Sequence, residues 1–409
     1  MFAGSVRSDI RAWQDWGLNV HILIIPSWYP RYSGDIAGSF FREQAIALRK
    51  HNCKVGVIYP EIRSLKDMGS IFYGRRGVSV EQDEGISIYR SHGINWFART
   101  VVARSMHFLW HGLRLYNQYV ADNGTPDIIH VQSLLYAGTI ATEINRKHSV
   151  PFVVTEHSSI FLHKLLSKRA ISYAKKYAEA ASRRFAVSSE FSNILNRVVE
   201  TGGLAWSELP NMVNEVFLCR EQKFVEVREC CQFINIAAMD DNKNQKDILL
   251  AFAEISRCHP YIKLVLGGDG AKKQHLEALA VKLNIADRIR FTGLLSREQV
   301  LDEMAASDAF VLSSRHETFG VVLVEALALG KPVIATRCGG PESIVREQDG
   351  LLVAVGDVSG LTNAMNYVID NYNNYDPVEI RSSCRDRYSE SAMASRLLSV
   401  YKEVLLEHE

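Results

Sequence analysis

The chain alternates short apolar runs with polar loops and amphipathic segments, a pattern that predicts parallel strands joined by helices. The clearest unit spans residues 309–336, AFVLSSRHETFGVVLVEALALGKPVIAT. Within it, Ala309–Ser313 predicts a buried strand and Val321–Leu329 a mostly buried helix. Gly330 stands where a helix-terminating glycine belongs, and Pro332 begins the next strand. We therefore predict a βαβ unit whose loop lies at the carboxyl end of a strand, where open α/β sheets bind ligands.

The same alternation opens the chain. The run VHILIIP at 20–26 predicts a strand, and a loop with Gly34 and Gly38 leads into a helix at Ser39–Lys50 and a strand at Lys54–Tyr59. Further strands of this half are predicted at 86–90, 127–132, 151–155 and 185–188. The loop lacks the GxGxxG spacing, so it does not indicate a dinucleotide site.

The second half restarts the alternation, with strands predicted at Gln232–Ala237, Tyr261–Leu266 and Arg288–Phe291. At 409 residues the chain is too long for one ordinary core. We predict an α/β protein with two Rossmann-like, doubly wound domains. The predicted divisions are a first domain at 1–212, of which 1–18 is an upstream extension, a second domain at 213–388, and a C-terminal helix at 389–409.

Composition narrows the class of protein. The formal net charge is +1, which gives no bulk electrostatic reason to expect nucleic acid as a partner. Seven scattered cysteines without a CxxC pair predict reduced thiols in a cytoplasmic protein. No apolar run is long enough to span a membrane, and residues 1–18 lack the apolar stretch of a signal peptide.

The first half carries an uneven basic charge. A predicted helix at 94–120 is rich in aromatic residues and bears Arg99, Arg104 and Arg114. A second basic run lies between Ile160 and Arg184. Two readings stay open, an anionic membrane surface as partner or an ordinary packed helix with a solvated basic face.

Several side chains are candidates for a site at the strand ends. Glu317 and Glu325 flank the start of the predicted helix, whose free N–H groups favour an anion such as a diphosphate. Lys243, in a loop of the same half, is either a counter-charge for that anion or a solvated loop lysine. His157 follows a buried strand and can bond a sugar hydroxyl or a phosphate, whereas a structural role is favoured for His130.

Other chemistries lack their motifs. The sequence contains no P-loop, HExxH, GxSxG or DxD. The missing DxD argues against the metal-dependent type of glycosyl transfer.

At this point the residues match a family. The run from Glu317-Thr318-Phe319-Gly320 through Glu325 to Gly330-Lys331-Pro332 resembles the E-x7-E motif of retaining glycosyltransferase family 4, which has the GT-B fold. Other residues of the chain resemble short motifs of the same family. They are Asn211, Gly268-Asp269-Gly270, Phe291-Thr292-Gly293, Gly339-Gly340 with Glu342, the Gly34…Gly38 loop and Glu156-His157.

The resemblance implies two Rossmann-like domains that face each other across a cleft, with the last helix crossing back to the first domain. It makes 1–212 the acceptor-side domain and 213–388 the nucleotide-sugar donor domain. It also implies roles for single residues. Glu317 would hold the donor sugar and Glu325 the nucleotide ribose. The remaining implied contacts to the donor are Lys243 on the leaving diphosphate, Gly38 and the N–H groups of Phe319, Gly320 and Val321 near the phosphates, and His157 on the sugar.

The implied activity is transfer of a sugar from a UDP- or GDP-sugar to a glycan or lipid-linked acceptor, with retention and with neither cofactor nor metal. The product would serve cell-surface polysaccharide or glycolipid synthesis, in the cytoplasm or at the inner face of the cytoplasmic membrane. A sugar-nucleotide epimerase and a non-catalytic GT-B scaffold are the alternatives. The sequence departs from the family where an arginine often precedes the lysine, because Ala237 and Ala238 stand there. Either Arg315 supplies this charge or Lys243 acts alone.

Overall fold

Two parallel sheets form the framework of the protein. The computed structural model describes residues 19–32, 35, 38–63, 76–95, 101–162, 166–221 and 232–408. Predictions that fall outside these residues concern 1–18, Gly34, Arg99 and part of the helix predicted at 94–120.

In the described residues, the first sheet has eight strands in the order β3-β4-β2-β1-β5-β6-β7-β8. All its pairings are parallel except that of the edge strand β3 with β4, which is antiparallel. In chain order the strands are β1 (His21–Pro26), β2 (Lys54–Arg63), β3 (Gly77–Asp83), β4 (Ile86–Ile94), β5 (Ile128–Gln132), β6 (Phe152–Glu156), β7 (Arg183–Ala186) and β8 (Ser207–Glu208). The strands β1, β5 and β6 are buried along their whole length, as their mostly apolar sequences predict.

Helices connect the parallel strands of this half. They are α1 (Ser39–Lys50), α2 (Val101–Asn123), α3 (Leu134–His148), α4 (Lys168–Ala180), α5 (Ser189–Val198) and α6 (Glu215–Cys219). The helix predicted to start at Ile94 starts later, because Ile94 still belongs to β4 and pairs with Arg63 of β2. The helix α3 was not predicted from the sequence, although its buried face carries Ile140, Ala141 and Ile144.

Within 232–408, the second sheet has six parallel strands in the order β11-β10-β9-β12-β13-β14. They are β9 (Gln232–Ile236), β10 (Lys263–Gly267), β11 (Ile289–Gly293), β12 (Ala309–Leu312), β13 (Val333–Thr336) and β14 (Gly350–Val353). Their helices are α7 (Gln245–Cys258), α8 (Lys273–Lys282), α9 (Arg297–Ala306), α10 (Val321–Ala328), α11 (Pro341–Ile344), α12 (Val358–Asp370), α13 (Pro377–Tyr388) and α14 (Glu390–Leu406). The βαβ unit predicted at 309–336 is present as β12, α10 and β13.

The last helix leaves the second half and packs on the first. Met393, Leu397 and Tyr401 of α14 are buried in a cluster with apolar residues of β1, β2 and α1. Lys50 Nζ of α1 lies 2.8 Å from Glu390 Oε2 of α14. The predicted crossing of the C-terminal helix is therefore confirmed.

The carboxyl ends of the two sheets meet. Ser188, just after β7, donates its hydroxyl to the carbonyl oxygen of Thr318 after β12 at 2.7 Å. The Ser189 N–H donates to Ser343 Oγ of α11 at 3.1 Å. Loops that follow parallel strands in both halves thus come together, which is where ligands bind in such folds.

Candidate functional site

Glu317 is held in the loop between β12 and α10. Its Oε1 accepts hydrogen bonds from Ser314 Oγ at 2.7 Å and from Lys243 Nζ at 2.5 Å. Its Oε2 receives no hydrogen bond from the described part of the chain. One oxygen therefore fixes the carboxylate, and the other is available to accept a hydroxyl proton.

The loop that carries Lys243 is tied to the Glu317 loop. Asp240 Oδ1 accepts from the backbone N–H groups of Asn242 and Lys243, each at 2.9 Å, and so closes a turn. Asn242 Nδ2 then donates to the carbonyl oxygen of His316 at 3.1 Å. The loop that carries the ammonium group is therefore fixed against the Glu317 loop, and the structure brings Lys243 beside Glu317.

The helix α10 begins directly after Glu317. Gly320 precedes its first residue with φ of 110°, a backbone conformation that side chains with a Cβ rarely adopt. Phe319 is buried and its ring packs edge-on against Tyr388, with centroids 5.9 Å apart. The N–H groups at the start of the helix, up to Val321, have no carbonyl partner within the helix. They form a positive end suited to an anion.

Glu325 lies one turn into α10 and is only 2% exposed. Its Oε1 accepts from the Arg297 guanidinium at 2.8 Å, and the same guanidinium donates to Glu43 Oε1 at 2.6 Å. Glu43 belongs to α1 of the first half and also accepts from Asn214 Nδ2 at 2.8 Å. The carboxylate expected to contact the ribose is thus joined to the opposite half through one arginine.

The buried position of Glu325 changes its protonation. Burial raises the pKa of this carboxyl to about 7, against the opposing effect of Arg297. Near neutral pH the group is therefore divided between a charged form that only accepts hydrogen bonds and an uncharged form that also donates one.

His157 follows β6 in the first half and is almost fully buried. Its Nε2 lies 2.7 Å from Gln132 Oε1, and Gln132 Nε2 in turn donates to Gln44 Oε1. Since an amide oxygen only accepts, Nε2 carries the imidazole proton and Nδ1 is the acceptor. Nδ1 is buried and has no hydrogen-bond partner in the described part of the chain. Burial also lowers the pKa of His157 to about 3, so the ring is neutral at physiological pH.

Glu156 positions the backbone on which His157 stands. Its Oε1 accepts from the N–H groups of His157 at 2.9 Å and Ser158 at 2.7 Å. Its Oε2 accepts from the Leu134 N–H at 2.8 Å, at the start of α3. A carboxylate that satisfies three buried N–H groups fixes this strand end in one conformation.

The start of α1 covers the imidazole. The rings of Phe40 and Phe41 lie 5.0 and 4.9 Å from the His157 ring centroid. Gly38 precedes α1 with φ of 79°, and a Cβ at this position would lie 3.0 Å from the Trp28 ring. Both the backbone conformation and the space at Gly38 therefore require glycine, and the helix that follows Gly38 lies beside His157.

His130 has a different surrounding from His157. Its Nδ1 lies 2.6 Å from Tyr401 Oη and its Nε2 2.8 Å from Thr155 Oγ1. Both ring nitrogens are used inside the protein, so the structural role predicted for His130 is confirmed. Tyr401 belongs to α14, so this histidine also anchors the crossing helix.

Sequence reasoning missed Arg297 and Glu43. Neither stands in a recognisable motif, and their proximity depends on how the two halves pack. Arg315 is the candidate for the positive charge that is absent near Lys243. It is exposed, and its backbone N–H donates to the carbonyl oxygen of Asn242 at 2.7 Å. In the described residues the arginine bonded to the acidic pair is Arg297, which reaches Glu325 rather than Glu317.

Among the described residues, no three His, Cys, Asp or Glu side chains converge in a way that would hold a metal ion. None of the helices described is both long and apolar enough to cross a membrane.

The protein has the GT-B fold of glycosyltransferases. Its two Rossmann-like sheets meet at their carboxyl ends, and its C-terminal helix crosses back to the first half. The Glu317–Lys243 pair lies at a helix start on the line where the sheets meet. Residues 37–201 match the family described as "Glycosyltransferase Family 4", and residues 222–386 match "Glycosyl transferases group 1". The two matches together cover most of the chain. The protein belongs to glycosyltransferase family 4.

Known proteins support the same placement. The chain is 38% identical over 111 residues, 27% of its length, to the lipopolysaccharide core biosynthesis glycosyltransferase LpsE of Rhizobium meliloti, of which this segment covers 32%. Across the curated relatives the matched part spans between 32% and 64% of their length.

Solved structures show the fold over nearly the whole chain. The sucrose-phosphate synthase of Thermosynechococcus elongatus superposes with a TM-score of 0.74 at 19% identity, covering 95% of this chain and all of the other. The Anabaena protein HepE in complex with UDP superposes with a TM-score of 0.71 at 17% identity, covering 94% of this chain and all of the other.

Proposed function

We propose that this protein transfers a sugar from a nucleoside-diphosphate sugar to a hydroxyl group of a glycan or lipid-linked acceptor, with retention of anomeric configuration and without a metal ion. The product would enter cell-surface polysaccharide or glycolipid synthesis. The observation that carries the proposal is the pairing of Lys243 with Glu317 at the start of α10, where the half holding His157 meets it.

The residues of the second half bind the donor and stabilise the departing diphosphate. Lys243 and the first N–H groups of α10, including those of Phe319, Gly320 and Val321, offer positive charge to the phosphates. Glu317 Oε2 accepts a hydrogen bond from a hydroxyl group of the donor sugar. Glu325 accepts a hydrogen bond from a hydroxyl group of the ribose. The Lys243–Glu317 bond must loosen as the diphosphate enters, because the ammonium then has two anions to bond.

His157 and Gly38 act from the other half. The free Nδ1 of His157 accepts a hydrogen bond from the donor sugar, and the Cβ-free Gly38 lets the backbone approach the phosphates. In the transfer, the bond between the anomeric carbon and the phosphate oxygen breaks and the acceptor oxygen bonds to that carbon from the same face. The acceptor proton passes to the departing phosphate oxygen. The protein thus acts by positioning and by charge stabilisation.

The donor sugar and the nucleotide are open to a direct test. A thermal-shift panel of UDP-, GDP- and ADP-sugars should raise the melting temperature with one nucleotide, because ligand that binds only the folded state stabilises it. Incubation with that donor and a candidate acceptor should release nucleoside diphosphate, and NMR of the product should show the donor's anomeric configuration. Addition of EDTA should leave the rate unchanged.

The two alternatives give other outcomes in the same experiment. A sugar-nucleotide epimerase would change the sugar and leave the nucleotide attached. A non-catalytic scaffold would bind nucleotide or partner and release no diphosphate with any acceptor. The relatives matched are named as glycosyltransferases or synthases and do not favour either alternative.

We also infer peripheral association with an anionic membrane, at the inner face of the cytoplasmic membrane. Met106 and Trp110 of α2 are 58% and 59% exposed, and Arg104 and Arg114 on the same helix are exposed as well. Exposed aromatic and basic side chains on one helix favour an anionic lipid surface.

A neighbouring helix adds charge to this surface. Lys168, Arg169 and Lys176 of α4 are exposed, whereas Lys175 is half-buried and lies 4.0 Å from Glu179. Both α2 and α4 pack against α3, so they lie on the same face of the first sheet.

Flotation with anionic and with neutral vesicles tests the association. Binding should need the anionic lipid and should weaken in the variants Trp110→Ser and Arg114→Gln. The variant Arg197→Gln removes an exposed arginine of α5 and should bind as the unaltered protein does. Equal binding to neutral vesicles, or none to anionic ones at low salt, would overturn the inference.

A further inference from the structure

A second polar pocket lies in the first half, away from the Glu317 site. It encloses about 350 Å³ at the carboxyl ends of β2 and β4. Its lining consists of three arginines, two glutamates and a histidine, namely Arg31, Arg63, Arg90, Glu61, Glu81 and His92. Nothing in the donor site accounts for this concentration of ionisable groups.

Arg90 is the most deeply buried arginine of this lining and is only 3% exposed. Its guanidinium lies over the rings of Tyr29 and Tyr59, 5.9 and 5.4 Å from their centroids, and its Nη2 donates to the carbonyl oxygen of Pro30 at 2.8 Å. Its Nη1 lies 3.6 Å from Glu61 Oε2 and makes no hydrogen bond with the described residues. A buried guanidinium N–H without a hydrogen-bond partner costs free energy, and an anionic acceptor would remove that cost.

Glu61 does not fill this need. Its two oxygens are shared among Arg31 at 3.7 Å, Arg90 at 3.6 Å and His92 at 3.4 Å. The distances to both arginines exceed those of charge-assisted hydrogen bonds. Among the described residues, the lining carries three guanidinium groups and two carboxylates.

The position of the pocket relates it to the transfer site. The strands β2 and β6 are parallel members of one sheet, separated by β1 and β5, so their carboxyl ends lie on the same rim. Three strand spacings place β2 about 14 Å from β6, whose end carries His157. An acceptor that reaches from one site to the other has its charged group well separated from the hydroxyl that reacts.

We propose that this pocket binds an oxyanionic group of the acceptor, a phosphate or a carboxylate, and so selects negatively charged acceptors. Guanidinium groups are suited to both oxyanions, because their paired N–H donors match two oxygens at once. The pocket assigns Arg31, Arg63 and Arg90 to acceptor recognition. That the oxyanion belongs to a sugar acceptor rests on the proposed function, whereas the binding of an oxyanion in this pocket does not.

The test measures binding and needs no sugar transfer. Inorganic phosphate and succinate serve as probes, titrated calorimetrically into the Lys243→Gln variant so that the donor site holds no competing ammonium. In this background the protein should bind at least one probe with a single site, and the stronger probe identifies the type of oxyanion. Competition between the two probes should show that they share the pocket.

Two substitutions locate the site. Arg31 has a largely exposed side chain, so Arg31→Gln should leave the fold intact and weaken probe binding about tenfold, because one charged donor is lost. Arg90→Lys keeps the charge but loses the paired donors, and it should weaken binding at least as much. Arg197→Gln is the matched control in the same half and should bind the probes unchanged.

The outcomes separate this proposal from the proposed function. Suppose that Arg31→Gln and Arg90→Lys weaken probe binding in the Lys243→Gln background, and that the same arginine variants made without the Lys243 change still bind the nucleotide sugar. This result supports both the oxyanion site and the transferase. Probe binding in a protein that binds no nucleotide sugar supports the oxyanion site and contradicts the transferase. No probe binding, or equal binding by the arginine variants and the Arg197→Gln control, overturns the oxyanion site.

Discussion

The two rims that meet in this protein are built in different ways. On the rim of the second sheet, Glu317, Gly320 and Glu325 come from one loop and helix, and Lys243 comes from the loop of an adjacent strand. On the rim of the first sheet, the surroundings of His157 come from α1, β5 and β6, and those of the oxyanion pocket from β2, β3, β4 and the loop after β1.

The difference explains why the residues that form the rim of the second sheet can be predicted from the sequence, whereas those that form the rim of the first sheet cannot. A loop that begins a helix fixes the relative positions of its own residues through local backbone geometry. Residues from several strands become neighbours only when the sheet order is known.

Loss of the Glu317 carboxylate should have the largest effect. In Glu317→Gln the carboxylate that accepts a hydrogen bond from the sugar hydroxyl loses its charge, and Lys243 loses the anionic partner that lies 2.5 Å away. We expect kcat/KM for sugar transfer to fall about 100- to 1000-fold, as when one preorganised charge-stabilising group is removed. Release of nucleoside diphosphate measures it. Glu254→Gln, an exposed glutamate paired with Arg257, is the control, and equal rates in the two variants would contradict the assignment.

The first rim is probed by two substitutions of His157. His157→Gln can keep an amide donor toward Gln132 but loses the acceptor at Nδ1, and kcat/KM should fall about 10- to 100-fold. His157→Asn puts an amide oxygen near the position of Nδ1 and should recover part of that loss. Initial rates at a fixed donor concentration compare the two. Identical losses would mean that Nδ1 does not contact the substrate.

His130 should affect stability rather than turnover. Burial lowers its pKa to about 3, against 6.5 in the unfolded chain, so between these values the unfolded state binds more protons and stability falls as pH falls. At pH 5 this difference amounts to ~2 kcal/mol. The loss of unfolding free energy between pH 7 and pH 5 should therefore be smaller by about that amount in His130→Asn than in the unaltered protein.

Urea unfolding at both pH values measures this effect, and comparison of the two proteins cancels the contribution of other groups. The cancellation matters for Glu325, whose raised pKa acts in the opposite direction because its folded form takes up a proton as the pH falls from about 7. Parallel pH curves for the two proteins would show that His130 carries no such linkage.

The smallest effect should come from the link between the rims. Glu43→Gln weakens the bond from Arg297 to the first half and leaves Arg297 with Glu325. We expect KM for the nucleotide sugar to rise about two- to fivefold with kcat nearly unchanged, since a partly exposed ion pair contributes little. Glu190→Gln disrupts a surface pair with Arg197 and serves as the control. A large fall in kcat would give Glu43 a direct part in the reaction.

Much of the fold was predictable because each helix and strand of a doubly wound domain has its own periodic signal. The helix α1 begins and ends at the predicted residues Ser39 and Lys50, and the unit 309–336 has its predicted order. The late start of α2 was not predictable, because Ile94 remains in β4 through its pairing with Arg63 of another strand. The helix α3 was missed although its apolar face has helical spacing.

By itself, the sequence determined the family, the two-sheet architecture and the local order of Glu317, Gly320 and Glu325, since these depend on residues close together in the chain. Only the tertiary structure decided that Arg297 joins Glu325 to Glu43 across the two halves. It also decided which nitrogen of His157 is free and that arginines from three segments line one pocket. Such contacts join residues tens to hundreds of positions apart, and the packing of the sheets and domains creates them.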